Sequence, residues 1–176
     1  LLEQNVTVRA VVRNVTKAQH VLPSSSSGSL LHMIQADVAL YEDYADVLDQ
    51  AVAGASSVVS VMGAVRLSNI ADWLPWRIFS KQATWAGRSH PYYGNYVGQK
   101  YLLELAEKHN ISRFVRLTGL GLAHSPFHPF AILFNTMLSF NNRWGALMEQ
   151  AMYQRPVPTL VLRPGGLAEE ERDTNT

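Results

Sequence analysis

The stretch from Tyr96 to Gly121, YVGQKYLLELAEKHNISRFVRLTGLG, limits the possible folds more than any other, because its apolar period changes partway along. Leu102, Leu103, Leu105 and Ala106 recur at helical spacing, with Glu104 and Lys108 expected to pair at i, i+4 on the other side and Asn110 placed as a stop. Phe114, Val115 and Leu117 then make a short apolar run closed by Thr118, Gly119 and Gly121, which suits a strand buried on both faces of a parallel sheet. Ligands of such sheets lie beyond the carboxyl ends of the strands, so Thr118 to Gly121 is the first place to look for chemistry.

The remaining segments read as more units of this kind. Val6 to Val12 is a strand, β-branched with partial alternation, Met33 to Ala36 is a short strand candidate, Ser57 to Met62 is a buried strand, and Thr159 to Leu162 is a strand. Tyr44, Val47, Leu48 and Ala51 lie at helical spacing within Tyr41 to Ala53, with Gly54 as the stop, and Asn142 to Gln154 is a second helix of this class. His20 to Ser29, with Pro23 and SSSSGS, is a flexible surface connection. Residues 66 to 94 are irregular and rich in aromatics (Trp73, Trp76, Trp85, Tyr92, Tyr93); these rings either line a pocket or cover the core beneath a long loop. Pro126 to Phe140, PFHPFAILFNTMLSF, is apolar on all faces and reads as a buried helix, a lid or a patch for a protein partner. Strands alternating with helices of about 10 to 15 residues give an α/β fold with a doubly wound parallel sheet, and residues 1 to 176 are expected to form one domain.

Composition mainly excludes. The net charge of +1, with dispersed Lys and Arg, argues against nucleic acid, and the absence of cysteine removes disulfides, thiolate nucleophiles and cysteine zinc sites. His124 and His128 have no carboxylate between them, so no metal site is expected. No apolar run reaches the roughly 18 residues of a membrane span, which gives the expectation of a soluble, intracellular protein of cytoplasm or organelle. The opening Leu1-Leu2-Glu3-Gln4, without an initiator Met, reads as the tail of a helix, and a natural protein starting earlier is expected.

Under this topology the strand ends form one row: Arg13, Asp37, Gly63 with Ala64, Thr118 with Gly119, and Arg163. Arg13 is either solvated or the cation that a nucleotide 2′-phosphate requires, where an acid would repel it. Asp37 either caps a turn or touches an adenine, and Gly63 either makes a turn or lets a ligand approach the backbone. Arg163 either clamps an anion or pairs with a carboxylate such as Glu149.

Taken in order, VRAVVRN, QADV, VVSVMGA, the Tyr96 to Gly121 unit and TLVLRPGGL resemble the atypical short-chain dehydrogenase/reductases of the NmrA-like, NAD(P)H-binding type, over nearly the whole chain. The resemblance implies a Rossmann-like fold whose cofactor-contacting places are matched by Arg13, Asp37, Gly63, Ala64, Thr118 and Gly119. It implies NAD(P) as cofactor and a small-molecule substrate; Arg13 points to NADP, with NAD left open. It also implies that the family's first strand and glycine-rich phosphate loop precede Leu1, which would leave two strand edges unpaired.

Catalysis is less legible. Tyr96 and Lys100 have the Tyr-x-x-x-Lys spacing of the superfamily's acid-base pair, but they precede the strand ending at Thr118, whereas that pair belongs on the helix after it. On the following helix the family often carries a Lys four residues before its Glu; here Glu149 is present and Gly145 occupies the Lys position. Two functions therefore stand. One is an NADP-dependent oxidoreductase of a small carbonyl or quinone-like substrate; the other is a non-catalytic dinucleotide-binding sensor or assembly factor that docks a protein through residues 126 to 140.

Overall fold

The β-branched runs become parallel strands in the computed structural model, which describes residues 4–22, 30–63, 66–78, 80, 82–84, 86–118 and 128–164. In chain order the elements are β1 (Val8–Val12), α1 (Val15–Val21), β2 (Leu31–Gln35), α2 (Ala45–Val52), β3 (Ser57–Ser60), α3 (Pro75–Ile78), α4 (Gly98–Lys108), β4 (Arg113–Leu117), α5 (Pro129–Met137), α6 (Asn141–Tyr153) and β5 (Thr159–Leu162). Single 3-10 turns at Val38–Leu40 and Ile70–Trp73 and a π-helical stretch at Tyr92–Val97 complete the set.

All ladders are parallel, but the described strands form two sheets, β1-β2 and β3-β4-β5. No ladder among the described residues joins β1 to β3. The two sheets are held together by helices. The core gathers Leu48 and Val52 of α2, Leu102, Leu103, Leu105 and Ala106 of α4, Phe114 of β4, and Met148 and Met152 of α6. Chain stops fall where left-handed backbone is cheapest: Gly54 after α2 has φ 70°, and Asn110 after α4 has φ 52°.

Side-chain partners at the helix ends fix the orientation of the sheets. Arg9, early in β1, donates through Nη1 to the carbonyls of Ala51 and Ala53 at 3.1 and 2.6 Å, satisfying acceptors that the end of α2 leaves open. Lys108 does not pair with Glu104 as the spacing suggested. It reaches Asp49 at 2.8 Å, as does His109, while Glu104 meets Lys100 at 3.9 Å and Arg155 at 3.3 Å. Tertiary packing brings the carboxyl ends of α2 and α4 together, and the nearer acid there is on α2.

At the other end, Gly98 opens α4 directly against the turn that follows β2. A Cβ at this position would stand 2.5 Å from the Val38 carbonyl oxygen, so only glycine permits the approach. Since α4 is part of the crossover that leaves β3 and Val38 follows β2, this contact sets the carboxyl ends of both sheets on one side of the molecule.

Candidate functional site

The carboxyl-end row divides between the two sheets. In β1-β2, Arg13 directly follows β1, and Asp37 follows β2 two residues beyond its end. Arg13 is exposed and has no hydrogen-bond or ion-pair partner among the described residues. Asp37 accepts from the Ala39 N–H at 2.9 Å, so it caps the Val38–Leu40 turn. At the β3-β4-β5 sheet, Gly63 follows β3 in open space: nothing lies within 4 Å of where a Cβ would stand. Thr118 continues β4 and donates its backbone N–H to Leu162 at 2.9 Å. Ala64 and Gly119 lie outside the described residues.

Behind this row is a set of buried polar groups that the sequence did not single out. Phe114 and Arg116 alternate onto the same buried side of β4, at 0% and 3% exposure. Arg116 donates to the Gly145 carbonyl of α6 at 3.0 Å and to the Asn95 carbonyl of the π-helical stretch at 3.3 Å. Burial pulls its pKa down to about 10, against the Glu149 carboxylate, which acts in the other direction. Arg116 is thus still a cation at neutral pH, and it is supplied by the strand to the same turn of α6 where Gly145 carries no side chain. The available sequence signal was a lone Arg two residues after a buried Phe.

Gln99 was missed for a related reason. It continues the Leu102, Leu103, Ala106 stripe back by one turn, is fully buried, and donates to the Met62 carbonyl at 3.4 Å, just past β3. Several buried atoms around this point have no hydrogen-bond partner among the described residues: Ser60 Oγ, Gln99 Oε1, Arg116 Nε, Thr118 Oγ1 and Glu149 Oε1. Ser60 stands opposite Arg116 in the ladder register. Buried polar atoms are normally paired, so a concentration of unpaired ones at strand ends fits a polar ligand with hydroxyl and amide groups. A pyrophosphate cradle is another matter, because the β1-to-α1 turn, Arg13-Asn14, contains no glycine.

The other candidates resolve into structure. Arg163 Nη2 pairs with Glu149 Oε2, the structural alternative for this residue. Tyr96 packs against Tyr92, ring centroids 5.9 Å apart, while Lys100 is half-exposed and faces Glu104. The π-helical stretch ends at Val97, between Tyr96 and Lys100, so the two are not on one continuous α-helical face. His124 lies outside the described residues, and no metal-binding group of His, Asp and Glu occurs among the described ones.

The aromatic segment divides as well. Tyr92 and Trp144 pack edge to face at 4.9 Å in a second core cluster, whereas Trp73 and Trp76 are 44% and 69% exposed. Trp85 is outside the described residues. Beneath these rings Asp72, 4% exposed, accepts from Arg66 at 2.6 Å, from the Asn69 N–H at 3.0 Å and from the Ser139 hydroxyl at 3.2 Å. His90 Nε2 stands 3.9 Å from the other Asp72 oxygen, and burial, with Arg66 nearby, holds its pKa down to about 4.

Comparison with solved structures gives likenesses of fold. ChuY, an anaerobillin reductase of Escherichia coli, is 19% identical with a TM-score of 0.58, covering 95% of this chain and 64% of its own. WbmG of Bordetella bronchiseptica, solved with NAD and UDP, is 17% identical with a TM-score of 0.59 over 92% of this chain and 46% of its own. The NADPH-dependent quinone oxidoreductase QOR2 of Escherichia coli, solved with NADPH, is 16% identical with a TM-score of 0.51 over 92% of this chain and 42% of its own. The chain therefore spans less than two thirds of the length of these three proteins. Among the curated proteins none matches. No helix among the described residues is long and apolar enough to cross a membrane. The parallel α/β architecture is that of Rossmann-fold NAD-binding proteins, and a family model matches residues 1–176 throughout: the chain belongs to the NAD(P)H-binding family.

Proposed function

We propose that this chain is the nucleotide-binding domain of an NADP-dependent oxidoreductase acting on a small carbonyl or quinone-like substrate. The observation that carries the reading is an exposed guanidinium, Arg13, at the carboxyl end of β1, on the side of the molecule where Thr118 follows β4 with a buried hydroxyl, neither of them with a partner among the described residues. Arg13 would take the 2′-phosphate by charge-assisted hydrogen bonds, and Asp37 would lie along the adenine. Gly63 and Ala64 would let the cofactor approach the β3 end, and Thr118 with Gly119 would hold its nicotinamide side. A bound nicotinamide supplies the hydride, and the chain supplies position and a water-poor wall. Comparison supports a nicotinamide dinucleotide of either kind, since similar folds include proteins solved with NADPH and with NAD.

The test is nucleotide choice. In the intact protein that contains this chain, Arg13→Glu is expected to weaken NADPH binding by roughly tenfold to a hundredfold while leaving NADH nearly unchanged, measured by calorimetric titration. Equal effects on the two cofactors would remove Arg13 from the site, and absence of NADPH-dependent turnover over a broad carbonyl and quinone panel would remove the enzyme.

That second outcome would favour the other reading, a dinucleotide-bound sensor or assembly factor with a protein partner at residues 126 to 140. It is favoured by one observation: Glu149 is tied to Arg163, and Tyr96 and Lys100 each have structural partners, so no acid-base pair is assembled among the described residues.

A further inference from the structure

A buried charge is normally met by an opposite one, and Arg116 is buried without that match. Its Nη groups donate to neutral acceptors, the Gly145 and Asn95 carbonyls, and its Nε has no partner among the described residues. None of the ion pairs among those residues includes it. The carboxylate whose charge reaches it, Glu149, is already joined to Arg163, so two guanidiniums stand against one acid and one positive charge is left over.

The surplus has a definite place. Val58 and Phe114 face the apolar core from one side of the β3-β4-β5 sheet, and two residues further along each strand Ser60 and Arg116 stand side by side in register. The face thus turns polar toward the carboxyl ends. Ser60 Oγ and Thr118 Oγ1 are buried there without partners among the described residues, and α4 and α6 border the layer with Gln99, Gly145 and Glu149. Thr118 lies two residues beyond Arg116, about 7 Å along the strand. The Asn95 carbonyl that holds Arg116 comes from the π-helical stretch, a rare conformation that gathers at functional sites.

We propose that Arg116 stabilises the negative charge that hydride transfer leaves on the acceptor's oxygen, and that the acceptor is a quinone. This rests on the oxidoreductase reading, in which Thr118 holds the nicotinamide side and the acceptor stands beside it. One hydride, a proton with two electrons, joins the quinone; its π electrons move onto oxygen as the ring becomes aromatic. The products are a hydroquinone monoanion and the oxidised nicotinamide, and the second proton is taken from water after release. A simple aldehyde or ketone would instead leave a localised alkoxide that needs a proton donor at once, and no acid-base pair is assembled among the described residues. A preorganised buried cation suits the delocalised anion. A substrate carboxylate fits less well, because Glu149 Oε1, buried and unspent in the same layer, would repel a permanent charge.

Two variants of the intact protein separate charge from hydrogen bonding: Arg116→Gln keeps donors and loses the charge, and Arg116→Lys keeps the charge. With 2-methyl-1,4-naphthoquinone as acceptor, Arg116→Gln is expected to lower kcat by roughly tenfold to a hundredfold while NADPH affinity stays nearly unchanged, and Arg116→Lys to recover most of the loss. Binding gives a readout without turnover. In the presence of NADP, 4-nitrophenolate, an anion of the reduced quinone's kind, should bind roughly tenfold or more weakly to Arg116→Gln than to wild type and Arg116→Lys. Wild type should reduce the quinone roughly tenfold or more faster than benzaldehyde, a comparison that needs no variant to fold. Unchanged kcat and 4-nitrophenolate affinity in Arg116→Gln, Arg116→Lys as impaired as Arg116→Gln, or benzaldehyde reduced as fast as the quinone would each overturn the role given to Arg116 and leave the oxidoreductase standing. NADPH binding with no turnover of either acceptor would overturn both.

Discussion

Two groups of buried charge lie on either side of Trp144, and they differ in how completely they are satisfied. The Arg66, Asp72, His90 and Ser139 group is closed around its acid: Asp72 has three hydrogen-bond donors and His90 accepts the Tyr92 N–H at 3.1 Å through Nδ1, while Arg66 Nε is buried without a partner among the described residues. The Arg116, Glu149 and Arg163 group is open, with Arg116 Nε, Glu149 Oε1 and the neighbouring Thr118 Oγ1 all buried and unpaired. Unpaired buried polar atoms cost stability, so a fold keeps them where something else repays the cost. The closed group ties an irregular segment to the body of the protein. The open one stands at the strand ends, where the fold places ligands.

Removing the central acceptor of the closed group gives the largest effect. Asp72→Ala strands the Arg66 cation and frees the Ser139 hydroxyl, and a loss of about 3 to 5 kcal/mol is expected in urea denaturation. A loss under about 1 kcal/mol would place this group with surface ion pairs and erase the contrast.

Acid probes the same group more gently. His90 has a pKa of about 4 in the folded chain and an ordinary value of 6.5 when unfolded, so between these limits the unfolded chain binds the extra proton. The His90 contribution is therefore fully present above pH 6.5 and is lost as the pH falls to 4, amounting to about 3 kcal/mol. Denaturation midpoints measured across this window should decline with acid in the wild type and decline less in His90→Gln. Equal slopes would show that His90 is not the buried neutral group described.

How much of this was legible follows from the distances in sequence over which each feature is decided. Thr159 to Leu162 and the stops at Gly54 and Asn110 are local matters of β-branching and left-handed backbone, and they appear where expected. Helix α1 was not anticipated, because VTKAQHV buries no residue and has no apolar stripe; its start is set by Asn14, whose side chain accepts from the Lys17 N–H at 2.8 Å. The Asp72 group joins residues 6 to 67 positions apart within irregular chain, and no period marks such a set. Arg116 and Gln99 carried a faint signal, each a polar residue on an otherwise apolar face, but only the structure shows what they reach. That Arg13, Asp37, Gly63 and Thr118 each follow the carboxyl end of a strand was readable from parallel topology, whereas the Gly98 contact that sets the ends of the two sheets on one side was not.

The smallest stability effect is the sharpest test of the open group. Thr118→Val keeps the shape of the side chain and deletes a buried hydroxyl that has no partner among the described residues, so stability should change by no more than about 1 kcal/mol, in either direction. In Asp72, by contrast, every lost acceptor leaves a donor stranded. If the hydroxyl is kept for a ligand, the same substitution should weaken NADPH binding by roughly tenfold, since a hydrogen bond made only in the complex is then missing. Measured together, a stable Thr118→Val that binds cofactor poorly keeps the two groups distinct. A variant that loses several kcal/mol of stability with unchanged binding would make Thr118 one more internal tie, and the open group would be no more a site than the closed one.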